Sequence, residues 1–139
     1  MFICDISVFN RFGKQRLDEM LQPLEVDWRM LVSLLVVEQV PGISQSKISP
    51  FLQTDKANVT KLLQVMEDKD LIKRESDKAD KRNKNCFLSD KGQMLVQHLH
   101  EILDRWEAQC FQGINKRELK TFQRISERIT QNLINDWKN

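Results

Sequence analysis

The sequence predicts a mainly helical fold, six helices carrying a small antiparallel β-wing of two or three strands. Three observations lead there. Apolar residues recur with helical spacing in six separate stretches. A single alternating, ribbon-like segment with a charged tip interrupts them between the fourth and fifth. The composition, with 40% hydrophobic and 30% charged residues, four glycines, three prolines and no tyrosine, argues against a loop-rich or all-β design. At 139 residues the chain suits one domain with a real core and is too short for two of ordinary size.

The first helix is expected over residues 6–22, with Phe9, Phe12, Met20 and Leu24 on one row, Leu17 and Leu21 beside it, and Pro23 ending it. A second, more buried helix covers 27–40, where Val26 and Leu31 can staple its start and Pro41 and Gly42 stop it. The third, 43–53, is the shortest, with Ser44 or Ser46 as N-cap and Ile48, Phe51 and Leu52 inward. Pro50 removes a donor and is expected to push Ser49 out of helical geometry, leaving this helix short, bent or partly 3₁₀.

From residue 55 a fourth helix carries Val59, Leu62, Leu63 and Met66 on one stripe. Opposite them lie Ala57, Lys61 and Gln64, flanked by Thr54, Asn58 and Thr60. Small, amide, hydroxyl and cationic side chains suit a helix entering a DNA major groove, since Gln and Asn pair with adenine and Lys reaches guanine or phosphate. They equally suit a solvated face. The third helix would cross the DNA backbone and offer Gln45, Ser46 and Lys47 to phosphates, as the first member of a helix-turn-helix.

The ribbon runs out through Leu71, Ile72, Lys73 and Arg74 and back through Cys86 and Leu88, both inward. Between residues 73 and 84 six cations face three acids, a net +3 where the whole chain carries only +2. Lys78, Lys81, Arg82 and Lys84 thus concentrate basic charge beside the fourth helix, where it can neutralise phosphates or reach a minor groove. Ser89 caps a fifth helix to about Phe111, with Leu95, Leu99, Ile102, Leu103, Trp106 and Cys110 as its row. The sixth opens on Asn115 with Glu118 three residues on, Ile114 and Leu119 forming a staple. Its row of Leu119, Phe122, Ile125, Ile129, Leu133 and Trp137 needs a partner, and a second copy of the chain would supply one. Phe9 on the first helix belongs to the same interface.

Residues 62–92 resemble the winged-helix signature of the MarR family of bacterial transcription regulators, in Leu71, Ile72, Arg74, Asp80, Arg82, Leu88, Ser89, Lys91 and Gly92. Asp70 departs from it, standing where the family prefers glycine. The resemblance implies a winged helix-turn-helix lobe over 26–89, with 1–24 and 90–139 as dimerisation helices of one domain. It implies that Arg82 enters the minor groove, oriented by Asp80, and that a homodimer reads palindromic double-stranded DNA. It also implies a cleft for a small aromatic or lipophilic effector that releases a repressor from DNA. Phe12, Trp28, Leu31, His100 and Leu103 are the candidate lining, and each also suits a plain core position.

Other chemistry finds little footing. His98 and His100 point about 200° apart on a helix and cannot share an ion, so no metal and no cofactor are expected. No nucleophile triad, phosphate loop or HExxH is present, so the chain is not expected to be an enzyme. Three scattered cysteines without a C-x-x-C fit a reduced, cytoplasmic setting, with Cys86 and Cys110 in the core. The opening MFICDISVFN lacks a basic leader, and Met30–Val37 is too short to span a bilayer. Two further readings stay open: a winged-helix protein-interaction module without DNA binding, and a redox-sensing regulator using Cys4.

Overall fold

In the computed structural model, which describes residues 1–134, the first helix starts earlier than expected and carries a register change. α1 (Phe2–Val8) passes into a π-helical turn, Phe9–Gly13, and continues as α2 (Lys14–Leu21), one rod in place of a helix over 6–22. The wider turn re-aims the residues beyond it, so that Leu17 and Leu21 are buried while Phe9 and Phe12 remain exposed. The Trp106 indole donates to the Gly13 carbonyl at 3.0 Å, tying this turn to the later helices.

α3 (Trp28–Gln39) runs through the centre and is apolar on most sides for that reason: Met30, Leu31, Leu34, Val36 and Val37 are buried. Asp27 caps it, accepting from the Met30 N–H at 2.9 Å. The buried Ser33 hydroxyl is satisfied within the helix, donating to the Arg29 carbonyl at 2.8 Å.

The single helix expected over 43–53 is divided. Ile43 and Ser44 form β1, Gln45–Ile48 form α4, and Ser49–Phe51 a 3₁₀ turn. The first two residues are drawn into extended backbone by pairing Ile43 with Cys86. Pro50 produces the 3₁₀ end, but Ser49 stays helical at φ −48°, ψ −44°, contrary to expectation. The proline lies in the first turn of the 3₁₀ segment, where its missing N–H leaves no helical bond unmade. Ile48 and Leu52 are fully buried, which anchors this short element despite its irregularity.

α5 (Lys56–Asp68) is capped by Asp55, which accepts from the Asn58 N–H at 2.8 Å, and buries Val59, Leu63 and Met66 as its stripe requires. Asp70 ends it in the left-handed region at φ 59°, a conformation aspartate adopts more readily than most residues. β2 (Ile72–Ser76) and β3 (Lys84–Leu88) form the wing. With β1 they make a three-stranded antiparallel sheet in the order β1-β3-β2, registered at Ile43↔Cys86 and Ile72↔Leu88.

α6 (Asp90–Cys110) begins at a tight crossing. Ser89 accepts from the Gly92 N–H at 2.9 Å and donates to the Asp70 carbonyl. A methyl group at Gly92 would overlap the Leu71 carbonyl oxygen, a backbone atom that cannot swing aside. Gly92→Ala is therefore expected to destabilise the fold by about 1–3 kcal/mol, read as a lower urea midpoint at unchanged slope.

α6 buries Val96, Leu99 and Ile102 against α2 and α3, then runs past the lobe. Cys110, expected in the core, is exposed there. α7 (Lys116–Leu133) opens on the predicted reciprocal cap, with Asn115 accepting from the Glu118 N–H at 2.9 Å and Glu118 from the Asn115 N–H at 3.1 Å. None of its residues is buried, although Phe122 meets Phe111 edge-on at 5.6 Å. Trp137, the last residue of the expected apolar row, lies outside the described residues. Among the described residues no helix is long and apolar enough to cross a membrane.

Candidate nucleic-acid interface

The wing tip is ordered by its own short-range hydrogen bonds. Asp77 accepts from the Ala79 N–H at 2.8 Å, Asp80 accepts from the Arg82 N–H at 3.0 Å, and the Asp77 N–H donates to the Asn83 carbonyl at 3.0 Å. The Asp80 carboxylate also stands 3.8 Å from the Arg82 guanidinium. Arg82 itself is 98% exposed, so the pairing aims the side chain and contributes little to stability. Lys78, Lys81 and Lys84 share the exposed edge.

On α5, Ala57, Asn58, Thr60, Lys61 and Gln64 are all exposed, while Thr54 is half-buried and accepts from the Asn58 amide at 3.1 Å. Between α4, α5 and the wing lies a notch of about 480 Å³. It gathers Gln45, Ser46, Thr60, Arg74, Arg82 and Lys84 from the expected set, and Ser49, Lys56, Val59 and Asn83 beyond it. Ser46 and Asn83 approach to 3.5 Å, so α4 and the wing are in register across the notch. Lys56 stands one turn before Thr60 and so shares its face, a signal the spacing already held once Thr60 was named. Lys47, Ala57, Asn58, Lys61, Lys78 and Lys81 lie outside the notch, on α4, α5 and the wing.

Arg74 differs from the other members of the expected contact set in how far it is buried. Its side chain is only 4% exposed, because Glu67 draws it inward: the Glu67 carboxylate takes the Arg74 Nε at 3.3 Å and the backbone N–H at 3.1 Å. The rest of the guanidinium reaches the Gln64 and Gln45 side chains at 2.5 and 3.4 Å. It supports the notch from below.

The expected effector residues divide. Trp28, Leu31 and Leu103 line one open apolar cleft of about 660 Å³, with Trp106, Leu17 and Ile6. The Lys14 ammonium sits 3.6 Å from the centre of the Trp28 ring at the cleft edge, and burial, then Arg29, holds its pKa below the usual lysine range. Phe12 lines a second cleft with Phe9, Phe111 and Phe122, because the π turn directs it there. His100 lines neither, and is instead held on the α3 side by Glu38 at 2.8 Å.

Among the described residues no cluster of His, Cys, Asp or Glu could hold a metal ion. Cys4 is exposed, whereas Cys86 is fully buried and burial pushes its thiol up to about 11, against a counteracting pull from Arg74. Cys86 is therefore expected to stay unalkylated in the native protein at pH 8 and to react once unfolded, read by mass spectrometry. Because the folded value lies above the ordinary 9.0, the stability this thiol contributes is fully present below pH 9 and lost as pH rises through about 11.

Residues 28–84 match the model of the MarR family. The fold resembles that of a MarR transcriptional regulator from Methanosarcina mazei Go1, at TM-score 0.81 and 24% identity over 94% of this chain and 95% of that one. A MarR protein from Peptoclostridium difficile DA00132 aligns at TM-score 0.80 and 24% identity, covering 98% and 89%. A MarR-family chain from Listeria monocytogenes, crystallised in complex with 26mer DNA, aligns at TM-score 0.79 and 22% identity over 97% and 90%.

Proposed function

We propose that the chain, whose residues 28–84 match the model of the MarR family within a fold shared with MarR transcriptional regulators along nearly its whole length, is a sequence-specific, duplex-DNA-binding repressor. The observation that carries this reading is the notch. An exposed arginine on a wing ordered by Asp80 stands across from the polar, bulk-free face of α5, with Lys56 and Lys84 between them. In this reading α5 enters the major groove with Gln45 at its edge, Arg82 enters the minor groove, and Ser46, Lys47 and the wing lysines hold phosphates. The Listeria complex supports it by analogy of fold.

Two such heads need fixed spacing. The exposed apolar residues of α1 and α7 support a homodimer through the helices flanking residues 26–89, presenting two α5 helices to half-sites roughly 34–36 Å apart on a palindrome. The cleft under Trp28, Leu31 and Leu103 would take a small aromatic or lipophilic effector. Such a ligand releases DNA only by binding better to the dimer whose spacing does not fit.

The test is duplex binding against salt, using fragments upstream of the protein's own gene. A steep loss of affinity with added salt and preference for a palindrome are expected. No saturable binding at low salt would sink the proposal and leave a protein-interaction role.

A further inference from the structure

We propose that Arg74 is a positioning residue for base readout, setting which end of the Gln45 and Gln64 amides faces a base; this rests on the DNA-binding role proposed above. One guanidinium joins three elements. From β2, Arg74 Nη1 donates to Gln45 Oε1 on α4 at 3.4 Å, and Nη2 to Gln64 Oε1 on α5 at 2.5 Å. Glu67, also on α5, holds the fork in place through Nε at 3.3 Å and Nη2 at 3.4 Å.

The far end of each amide is matched as well. Gln64 Nε2 donates to Asp68 at 2.9 Å, and Gln45 Nε2 to the Thr60 hydroxyl at 2.7 Å, whose own proton goes to the Lys56 carbonyl. Turning either amide over would set N–H against the guanidinium at one end and oxygen against a filled acceptor at the other. Arginine donors thus select one orientation of two groups that, in water, present oxygen and nitrogen interchangeably.

Orientation is what an amide contributes to specificity. Adenine in the major groove offers an acceptor, N7, beside a donor, N6, and a glutamine reads that pair only with its own donor and acceptor in matching order. Gln64 is exposed and Gln45 lines the notch, so each keeps capacity for a partner beyond its internal bonds. Arg74 borders the notch but is only 4% exposed, its guanidinium engaged by Glu67, Gln64 and Gln45. Lysine cannot replace it, since a point ammonium lacks the planar fork that reaches acceptors on two helices together.

The test starts with the full chain and a random-sequence duplex pool, from which the unaltered protein selects its preferred site. Affinity for that site and for its scrambled counterpart is then measured across salt for the unaltered protein, Arg74→Lys, Arg74→Met and Gln64→Met. In both Arg74 variants the preference ratio is expected to fall about tenfold, with the salt slope unchanged. Gln64→Met, which leaves the Arg74–Glu67 pair in place, should lower the ratio too.

A ratio within roughly twofold of the unaltered protein in Arg74→Lys overturns the positioning role alone. So does a salt slope reduced by about one in Arg74→Met and restored in Arg74→Lys, the signature of a direct phosphate contact. Should the Arg74 variants fail to fold by circular dichroism, Gln45→Met and Gln64→Met decide, and unchanged ratios in both overturn the proposal. If the unaltered protein selects no site at all, the DNA-binding role falls, and this inference with it.

Discussion

Leu133→Glu is expected to turn the protein into monomers and to abolish tight DNA binding without touching any residue of the notch. The side chain is 79% exposed within one chain, so the change costs the chain's own fold little. α7 carries Phe122, Ile125 and Leu133 exposed, and α1 adds Phe2, Ile3 and Val8, with Phe9 next in the chain. The proposed homodimer would cover this face. Burying one leucine is worth about 1.5–3 kcal/mol, and a two-fold axis places the residue in the interface twice. Substituting a carboxylate forfeits both contributions and adds the cost of desolvating two unpaired charges. The dimer dissociation constant should rise on the order of a thousandfold, a little over 4 kcal/mol, seen by sedimentation equilibrium. DNA affinity should fall with it, because two separated heads lose the gain from fixed spacing. A dimer that survives this change would show that the apolar face of α7 serves something else.

The second large effect is expected from Arg82→Ala. Arg82 projects from a tip held by the Asp77 and Asp80 turns, and its 98% exposure means that the fold does not depend on its side chain. Thermal stability and dimerisation should therefore be unchanged. DNA affinity should drop by ~1–3 kcal/mol for each groove that the arginine enters, with a shallower salt dependence. Asp80→Ala should reproduce part of this effect, since the arginine would remain but lose its aim. Fluorescence anisotropy with a labelled duplex, across a salt series, measures both. If Arg82→Ala binds as tightly as the unaltered protein, the wing does not touch DNA.

Much of this architecture could be read from the chain because its causes are local. The stripe of Val59, Leu63 and Met66 and the caps at Ser89 and Asn115 each involve residues within a few positions of one another. Pro50 announced a 3₁₀ end by the same logic. Residues whose behaviour depends on distant partners were not legible. Arg74 looked like one more wing cation, and only the fold brings Glu67, Gln64 and Gln45 around it. Ser44 stands at the N-cap of α4 as one of the two expected serines, but Ile43, expected within the helix, joins it in a strand because Cys86 and Asn85, far along the chain, offer an edge to pair with. His100 went to Glu38 for a similar reason.

Legible in the chain alone are the apolar stripes of α3 and α5, the caps at Ser89 and Asn115 and the basic charge of the wing, since helix periodicity, capping and charge density are written in neighbouring residues. Tertiary structure alone decided the π turn that sends Phe12 and Trp28 to different clefts, the crossing that only Gly92 permits, and the inward course of Arg74. The physical reason is common to all three. Each depends on how closely two remote segments approach, and that distance is set by the packing of the whole core around α3 rather than by any one stretch of chain.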